Sequence, residues 1–284
     1  MPSTKDSKIP ARLEKKIDLA KGLAIFRIVF DQDFSFTPGQ YATIWLTHKG
    51  KTVPRPYSIA SSPSERRALE FYINLVEEGK LTPSLWDAEV VQALGRGDSE
   101  TKLFITGPKG HFFMDPEDPR DLVFIASGTG LAPFISMVRK LNEDSLLSPE
   151  SFRPRRIYLV HGVSYSDNLG YRGELESLSA ETLKNPMRKL GLVYLPTISR
   201  PHLDPNWNGL KGRAEALLED SPPRDSQPLD LDATLRAMFR AMLRPDTHSV
   251  YVCGHPGTID NTLNILSSRG FKPSKDIKFE KYYT

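Results

Sequence analysis

The stretch Ser127-Gly128-Thr129-Gly130-Leu131-Ala132-Pro133-Phe134 lies between an apolar run, Leu122-Val123-Phe124-Ile125-Ala126, and a segment carrying Phe134, Met137, Val138 and Leu141 on one helical face. Two glycines let backbone N–H groups approach an anion closely, and Pro133 suits the first turn of a helix whose N-terminus favours negative charge. A phosphate or pyrophosphate fits such a turn. The pattern is short of the full Gly-x-Gly-x-x-Gly fingerprint, and ordinary strand-to-helix turns also carry Gly-x-Gly. A second candidate is Arg55-Pro56-Tyr57-Ser58. An arginine, an aromatic ring and a hydroxyl on one strand offer a bidentate phosphate contact, a stacking face and a hydrogen bond to a ring heteroatom. The competing reading is an edge strand ended by proline with a surface arginine, and by the chemistry of those residues alone that reading prevails.

The elements that must position these residues fall into two halves. Up to about residue 115, Leu23–Val29, Tyr41–Leu46 and Leu69–Val76 are rich in β-branched and aromatic residues and are punctuated by Thr37-Pro38-Gly39 and His48-Lys49-Gly50. Short strands at that spacing predict a small antiparallel barrel. From about Pro119, apolar runs at 122–126, 157–160, 192–195 and 249–253 alternate with helical segments, the pattern of a parallel sheet flanked by helices. Asp115–Pro119 reads as the linker, dividing the chain into domains 1–117 and 118–284. Ser221–Pro228 reads as a loop. It precedes Leu231, Leu235, Met238, Phe239 and Met242 at helical spacing, read as a helix packed on its own domain, with partner docking as the alternative. Asp230 and Asp232 are placed to cap that helix.

Composition removes several classes of function. The 284 residues include 38 Lys+Arg against 35 Asp+Glu, a formal charge of +3 that gives no reason to expect nucleic-acid binding. A single cysteine, Cys253, excludes an intrachain disulfide and a four-thiolate cluster, so redox work would need an organic cofactor or a partner. The six histidines show no metal-ligand spacing, and no metal is expected. Gly110-His111-Phe112-Phe113 reads instead as a packing turn. No Gly-x-Ser-x-Gly elbow and no full Gly-x-x-x-x-Gly-Lys-Ser/Thr P-loop is present. No apolar run reaches the length of a membrane span, and Met1–Asp6 leads into no apolar signal region, so a cytoplasmic location is the default expectation.

Taken together, Arg55-x-Tyr57-Ser58, Gly79-Lys80-Leu81-Thr82, the Ser127–Pro133 turn, Cys253-Gly254-His255-Pro256 and the terminal Glu280-Lys281-Tyr282 closely resemble the ferredoxin–NADP reductase family, in its order and spacing. The compact length and the Gly-Lys-Leu-Thr-Pro-Ser-Leu stretch resemble its bacterial ferredoxin/flavodoxin reductases. The resemblance implies an FAD-binding barrel followed by an NADP-binding α/β domain, with the active site in the cleft between them. It implies that Arg55, next to Pro56, contacts the FAD pyrophosphate, that Tyr57 packs on the flavin and that Ser58 lies near flavin N5. Gly79, Lys80, Leu81 and Thr82 would sit at the FAD phosphates, with Thr82 presenting its hydroxyl and backbone N–H. Gly128, Thr129 and Gly130 would receive the dinucleotide pyrophosphate. Cys253 and Glu280 would line the nicotinamide pocket, shaping where the ring sits rather than acting as acid, base or nucleophile. By residue statistics Cys253 is a small buried hydrophobe, and the following Gly254-His255-Pro256 reverses that preference. Relatives commonly have Asn at His255.

Coenzyme choice follows from charge. Ser199-Arg200 and Arg213 match positions where NADP-using relatives hold the 2′-phosphate, and a charge-assisted hydrogen bond contributes about 1.5–3 kcal/mol, so NADPH is expected over NADH. Ser164 stands where some relatives have a third arginine. The bland reading of Arg200 and Arg213 is solvated surface charge. Tyr282 aligns with the ring that relatives lay over the flavin, and Tyr283 with a reach toward adenine; the alternative is a frayed terminus.

The expected activity is hydride transfer from NADPH to FAD and single-electron transfer to ferredoxin or flavodoxin, or the reverse. Such acidic partners would be steered by a basic rim. The stretch to Arg27 carries Lys5, Lys8, Arg12, Lys15, Lys16, Lys21 and Arg27 against Asp6, Glu14 and Asp18, its first eight residues read as a solvated tail. Two alternatives stand beside this: a reductase of free flavin, quinone or a metal chelate, and a redox-sensing flavin/dinucleotide-binding module without turnover.

Overall fold

The computed structural model describes residues 7–96, 100–185, 187–219 and 231–282. The expected loop at 221–228, the capping Asp230 and Tyr283 lie outside the described residues. The described residues fall into two units, one running to Met114 and including Ala132–Lys140, the other made of Asp115–Leu131 and the residues from Leu141 onward.

The first unit is built from β1 (Ile9–Ala20), β2 (Leu23–Val29), β3 (Tyr41–His48), β4 (Lys51–Ser58), β5 (Ala68–Asn74) and β6 (Thr101–Lys109) in one antiparallel sheet, ordered β4-β3-β6-β1-β2-β5. The β3–β4 turn is Lys49-Gly50 with both φ values positive, 48° and 74°, the two-residue geometry that matches strand twist. The two outer strands meet where Ile59, just past β4, pairs antiparallel with Phe71 of β5. That closure buries Phe26, Ile44, Ile59, Phe71, Ile73 and Ile105 in one core. Pro54 and Pro56 are tolerated on β4 because it pairs on one side only. Two short helices, α1 (Thr82–Trp86) and α2 (Ala88–Arg96), follow β5, and Leu85, Val90 and Leu94 join the same core.

β1 lies between β6 and β2 although it is densely charged. Ile9 and Leu13 are its buried residues, and the Lys16 ammonium lies 4.9 Å over the Trp86 ring and pairs with Asp18 at 2.9 Å, so that the side chain covers apolar surface with its charge matched. The expected solvated tail covers the first eight residues, and the sheet begins immediately after it at Ile9; exposed Lys8 sits 4.0 Å over the Trp45 ring.

The second unit carries β7 (Asp121–Ser127), a 3-10 turn (Gly128–Leu131), the end of α3 (Ala132–Leu147, of which Ala132–Lys140 belongs to the first unit), β8 (Arg155–Val163), α4 (Arg172–Lys184), β9 (Leu190–Ile198), β10 (Leu210–Lys211), α5 (Leu231–Met242), β11 (His248–Gly254), α6 (Pro256–Ser268) and β12 (Ile277–Lys281). All six strands are parallel, in the order β10-β9-β8-β7-β11-β12. β7 and β11 are continuous buried runs, as strands covered on both faces must be. Successive strands leave β7 on one flank, and β11 returns on the other. The C-terminal ends of β7 and β11 are therefore the topological switch point, where open α/β sheets bind ligands.

The opposite end of this sheet is fastened by Arg120. Its guanidinium donates to Asp118 at 2.7 Å, to Asp276 at 2.7 Å and to the Pro245 carbonyl at 2.8 Å. α5 turns a different face inward from the one its apolar spacing predicts. Phe239 and Leu243 are core residues, and the Phe239 ring meets Tyr158 at 6.0 Å, but Leu235 and Met238 are exposed. Buried Arg236, which donates to the Lys211 carbonyl, shares the inward face with Phe239 and sets that phase. The side chain of Asp232 is outside the described residues. Among the described residues no helix is long and apolar enough to cross a membrane.

Candidate functional site

In the first unit, Arg55, Pro56, Tyr57 and Ser58 occupy the second half of β4. Their register against β3 is Ile44↔Arg55, Thr43↔Pro56, Ala42↔Tyr57 and Tyr41↔Ser58. Alternation puts Arg55 and Tyr57 on one face and Pro56 and Ser58 on the other. The Tyr57 ring leans edge-on against Phe71 of β5 at 6.3 Å, and burial pushes its hydroxyl up to about 12, opposed by the Arg55 charge. Tyr57 is thus a neutral, half-buried ring. Arg55 donates to its own Pro54 carbonyl at 2.7 Å and has no carboxylate partner among the described residues. A guanidinium left without a counter-charge beside an aromatic face suits a phosphate next to a flat ring. Ser58 is buried.

The antiparallel bridge Ile59↔Phe71 runs this segment back along the chain that leads from β5 to Gly79-Lys80-Leu81-Thr82. That turn is tightly built. A Cβ on Gly79 would stand 2.9 Å from the Val76 carbonyl oxygen and 3.0 Å from Thr82 Oγ1. The Thr82 hydroxyl donates to the Val76 carbonyl at 2.9 Å and accepts from the Val76 N–H at 3.0 Å. Its hydroxyl closes the loop instead of projecting outward, which leaves the backbone of the turn to face a ligand. Leu81 is buried and Lys80 lies at the surface of the turn.

In the second unit, Gly128, Thr129 and Gly130 form the 3-10 turn at the switch point. Gly128 has φ +56°, and a Cβ there would meet nothing within 4 Å, so the turn is open on that side. Gly130 is the reverse case. A Cβ on it would lie 2.3 Å from the Cys253 carbonyl oxygen and 2.7 Å from Gly254 Cα. Gly254, with φ +127°, is equally hemmed in by Ser127, whose Oγ accepts from the His255 N–H at 2.8 Å. These glycines let the ends of β7 and β11 touch backbone to backbone, leaving the open Gly128 side as a cradle for a phosphate. The His255 side chain caps α6, its Nδ1 accepting from the Gly257 N–H at 3.0 Å.

Cys253 and Glu280 stand opposite each other in the β11–β12 register. Burial pushes the Cys253 thiol well above its ordinary value, and the Glu280 charge adds to this, so the thiol stays neutral. It is no nucleophile; it is a small, uncharged wall beside a carboxylate. Tyr282 follows directly. Its N–H donates to the Gly254 carbonyl at 3.2 Å and its hydroxyl to the Thr129 carbonyl at 3.3 Å. Cys253, Glu280, Tyr282 and the glycine turn therefore form one cluster.

Ser199 and Arg200 follow β9, and Arg213 follows β10, whose Lys211 pairs with Ile198. The Ser199 N–H donates to the Val163 carbonyl at 2.9 Å and the Arg200 N–H to the Ser164 carbonyl at 3.2 Å, fastening this loop to the one after β8. Neither Arg200 nor Arg213 has a carboxylate partner among the described residues. Elsewhere in the unit Arg172 pairs with Glu176 and Arg120 with two aspartates. Sequence reasoning missed Tyr165. Its hydroxyl accepts from Arg200 at 2.7 Å, and its ring lies 5.4 Å from the same guanidinium. It also missed His161, a lone histidine on an apolar strand with no local signal. Gly110 anchors Gln40 through its carbonyl, and Phe112 packs edge-on against Phe134 at 5.7 Å.

The chain matches the oxidoreductase FAD-binding domain over residues 10–114 and the oxidoreductase NAD-binding domain over residues 124–263. It is 30% identical over 253 residues to a ferredoxin–NADP reductase of Pseudomonas aeruginosa, covering 88% of this chain and 85% of that protein. It is 30% identical over 269 residues to the reductase component DmpP of phenol 2-monooxygenase from Pseudomonas sp. strain CF600, covering 94% of this chain and 64% of that protein. The chain thus spans slightly under two thirds of that relative's length. In fold it is similar to a ferredoxin NADP+ reductase from Neisseria gonorrhoeae with bound FAD and NADP, at a TM-score of 0.68 and 19% identity over 98% of each chain. An antiparallel barrel, a parallel sheet with its glycine turn at the switch point, and the matches to FAD-binding and NAD-binding oxidoreductase domains agree: the chain belongs to the ferredoxin–NADP reductase family.

Proposed function

We propose that the chain passes electrons between NADPH and a small acidic electron carrier, ferredoxin or flavodoxin, through FAD. The observation that carries the proposal is the cluster at the switch point, where a neutral thiol, a carboxylate and a glycine turn stand side by side at the ends of β11, β12 and β7. When bound, the two cofactors supply hydride transfer from nicotinamide C4 to flavin N5 and onward transfer of single electrons.

The residues of this chain do the holding. Arg55 grips the FAD pyrophosphate with a guanidinium that has no other counter-charge, Tyr57 packs its neutral ring on the flavin, and Ser58 lies near the flavin edge. The Gly79–Thr82 turn offers backbone to the FAD phosphates, braced by the Thr82 hydroxyl on Val76. Gly128, Thr129 and Gly130 take the dinucleotide pyrophosphate. Cys253 and Glu280 bound the nicotinamide, whose reacting carbon must be held at about 3–3.5 Å from its acceptor for efficient transfer. Tyr282 tethers to Thr129 and Gly254 on the same surface.

Choice of NADPH is supported by Arg200 and Arg213, two cations with no carboxylate partner among the described residues, close to Ser199, with Tyr165 bracing the first. Each bond to a 2′-phosphate contributes about 1.5–3 kcal/mol. For the acceptor, the support is the similarity to the Pseudomonas aeruginosa ferredoxin–NADP reductase and the exposed Arg12, Lys15 and Lys21 on and after β1.

A second reading has its own observation. The similarity to a phenol 2-monooxygenase reductase component over 94% of this chain favours delivery of electrons to an oxygenase partner. Steady-state NADPH oxidation by the FAD-loaded protein separates the readings, with turnover supported by an oxygenase component and by neither ferredoxin nor flavodoxin favouring the second one. The proposal expects saturation with ferredoxin or flavodoxin and a rate that falls as salt screens the basic surface. Turnover with free flavin or ferric chelate and no response to either carrier would overturn it. A failure to turn over with any acceptor would leave the redox-sensing module.

A further inference from the structure

His161 is the fully buried histidine of β8, opposite Ala126 of β7. Its Nε2 lies 3.2 Å from the Gly128 carbonyl oxygen, and its Nδ1 lies 3.3 Å from the Tyr194 hydroxyl on β9. A carbonyl oxygen can only accept, so Nε2 carries the hydrogen; Nδ1 of the neutral ring then accepts from the Tyr194 O–H. Burial lowers the ring to about 4, so this uncharged tautomer persists at working pH. A single chain of donors thus runs from Tyr194 through His161 into the glycine turn.

The consequence lies in the peptide that the chain reaches. In a trans peptide the C=O and the following N–H point in opposite directions. With the Gly128 carbonyl turned inward onto His161, the Thr129 N–H is turned the other way, out of the buried strand layer. Gly128 adopts the positive φ of +56° that this orientation uses, and its Cα borders open space. A carbonyl oxygen can accept twice, and the 3-10 turn supplies this one with a backbone donor as well, so the histidine is the second donor, the one that fixes its inward direction; without it the peptide keeps the turn's bond but loses that fixed orientation.

We propose that His161, held by Tyr194, is the positioning residue that aims the Thr129 N–H at the dinucleotide pyrophosphate. This rests on the assignment of the Gly128–Gly130 turn to that group. The histidine touches neither ligand nor reacting atoms; it acts through the peptide.

The test uses the FAD-loaded full chain and calorimetric titration with two probes. One, 2′-phospho-ADP-ribose, carries the pyrophosphate; the other, 2′-AMP, lacks it. His161→Leu is expected to weaken 2′-phospho-ADP-ribose by roughly tenfold, the loss of one well-oriented hydrogen bond, and 2′-AMP by less than twofold. His161→Gln, whose amide can donate to Gly128 and accept from Tyr194, is expected to restore most of the affinity. Tyr194→Phe keeps the ring and is expected to give a smaller loss of the same selectivity, about threefold, so the proposal stays testable if the leucine variant folds poorly. In turnover, His161→Leu raises the KM for NADPH with little change in kcat. Equal weakening of both probes, or no rescue by Gln, would overturn the proposal as a general packing effect. If the wild type binds both probes equally, the assignment of the turn itself fails and takes the proposal with it. If the wild type prefers the pyrophosphate probe and His161→Leu keeps that preference, the proposal alone fails.

Discussion

Replacing Gly130 with alanine places a Cβ 2.3 Å from the Cys253 carbonyl oxygen and 2.7 Å from Gly254 Cα. Both neighbours are backbone at the end of a central parallel strand, and neither has a rotamer to escape into. Overpacking a close-fitted core costs about 1–3 kcal/mol, and immobile neighbours push this site to the upper end, about 3 kcal/mol. At a urea slope of about 2 kcal/mol per M, the midpoint of the second unit falls by roughly 1.5 M. Gly128→Ala, two residues away, is predicted to behave oppositely. Its Cβ meets nothing within 4 Å, and the positive φ of +56° costs about 1 kcal/mol. Its methyl group fills the open side of the turn, so affinity for 2′-phospho-ADP-ribose falls by roughly tenfold or more while the midpoint moves by only about 0.5 M. Urea unfolding and calorimetric titration on the same three proteins measure both quantities. If Gly130→Ala unfolds like the wild type, the close approach of β7 and β11 is wrong; if Gly128→Ala binds like the wild type, the open side is not where phosphate sits.

Other outcomes follow from the same geometry. Arg200→Leu and Arg213→Leu are each expected to raise the KM for NADPH by roughly 10- to 100-fold and to leave NADH unchanged, as steady-state kinetics with both coenzymes will report. Tyr165→Phe removes the 2.7 Å bond to Arg200 and is expected to raise the NADPH KM by about two- to fivefold, again with no effect on NADH. Acid stability has two steps with one sign. His161 is held down to about 4 by burial, so its contribution is complete above the ordinary 6.5 and is lost as pH falls through 4, costing about 3 kcal/mol. Asp118 is held down to about 2, chiefly by its hydrogen bond from Arg120, so its contribution is complete above 3.8 and is lost as pH falls through 2, costing about 1–2 kcal/mol after solvent screening. Urea midpoints measured from pH 7 to pH 2 should show both steps, and His161→Gln should remove the upper one.

The parts of the fold that could be read in the sequence were those whose signal is local. β2 runs over the same residues, Leu23–Val29, that its β-branched and aromatic content marks, and β7 and β11 declare themselves as apolar runs. β1 escaped because its charges outnumber its two deeply buried residues, and long lysine stems replace apolar side chains as cover. The inward face of α5 was misjudged because a buried arginine, Arg236, takes an inward position that apolar spacing assigns elsewhere. Candidate site residues stood out in the sequence where they cluster in a motif, as at Gly128–Gly130, whereas Arg55–Ser58 was preferred as a site only through the family resemblance. Pairings set by strand register did not stand out. Cys253 and Glu280 were brought together by the family resemblance alone, since the β11–β12 alignment that pairs them leaves no local mark; Tyr165 meets Arg200 through two loops fastened together, and His161 reaches Gly128 across neighbouring strands. Thr82 illustrates a further limit: the family resemblance implied a ligand-facing hydroxyl, and in this fold that hydroxyl bonds the Val76 backbone and closes its own loop.

The most direct test of the central claim is anaerobic rapid mixing of the FAD-loaded protein with NADPH and, separately, with NADH, following the visible absorbance of the flavin. The account predicts rapid bleaching by NADPH and much slower bleaching by NADH at equal concentration. A protein that cannot be loaded with FAD, or a bound flavin that neither coenzyme bleaches, would contradict it.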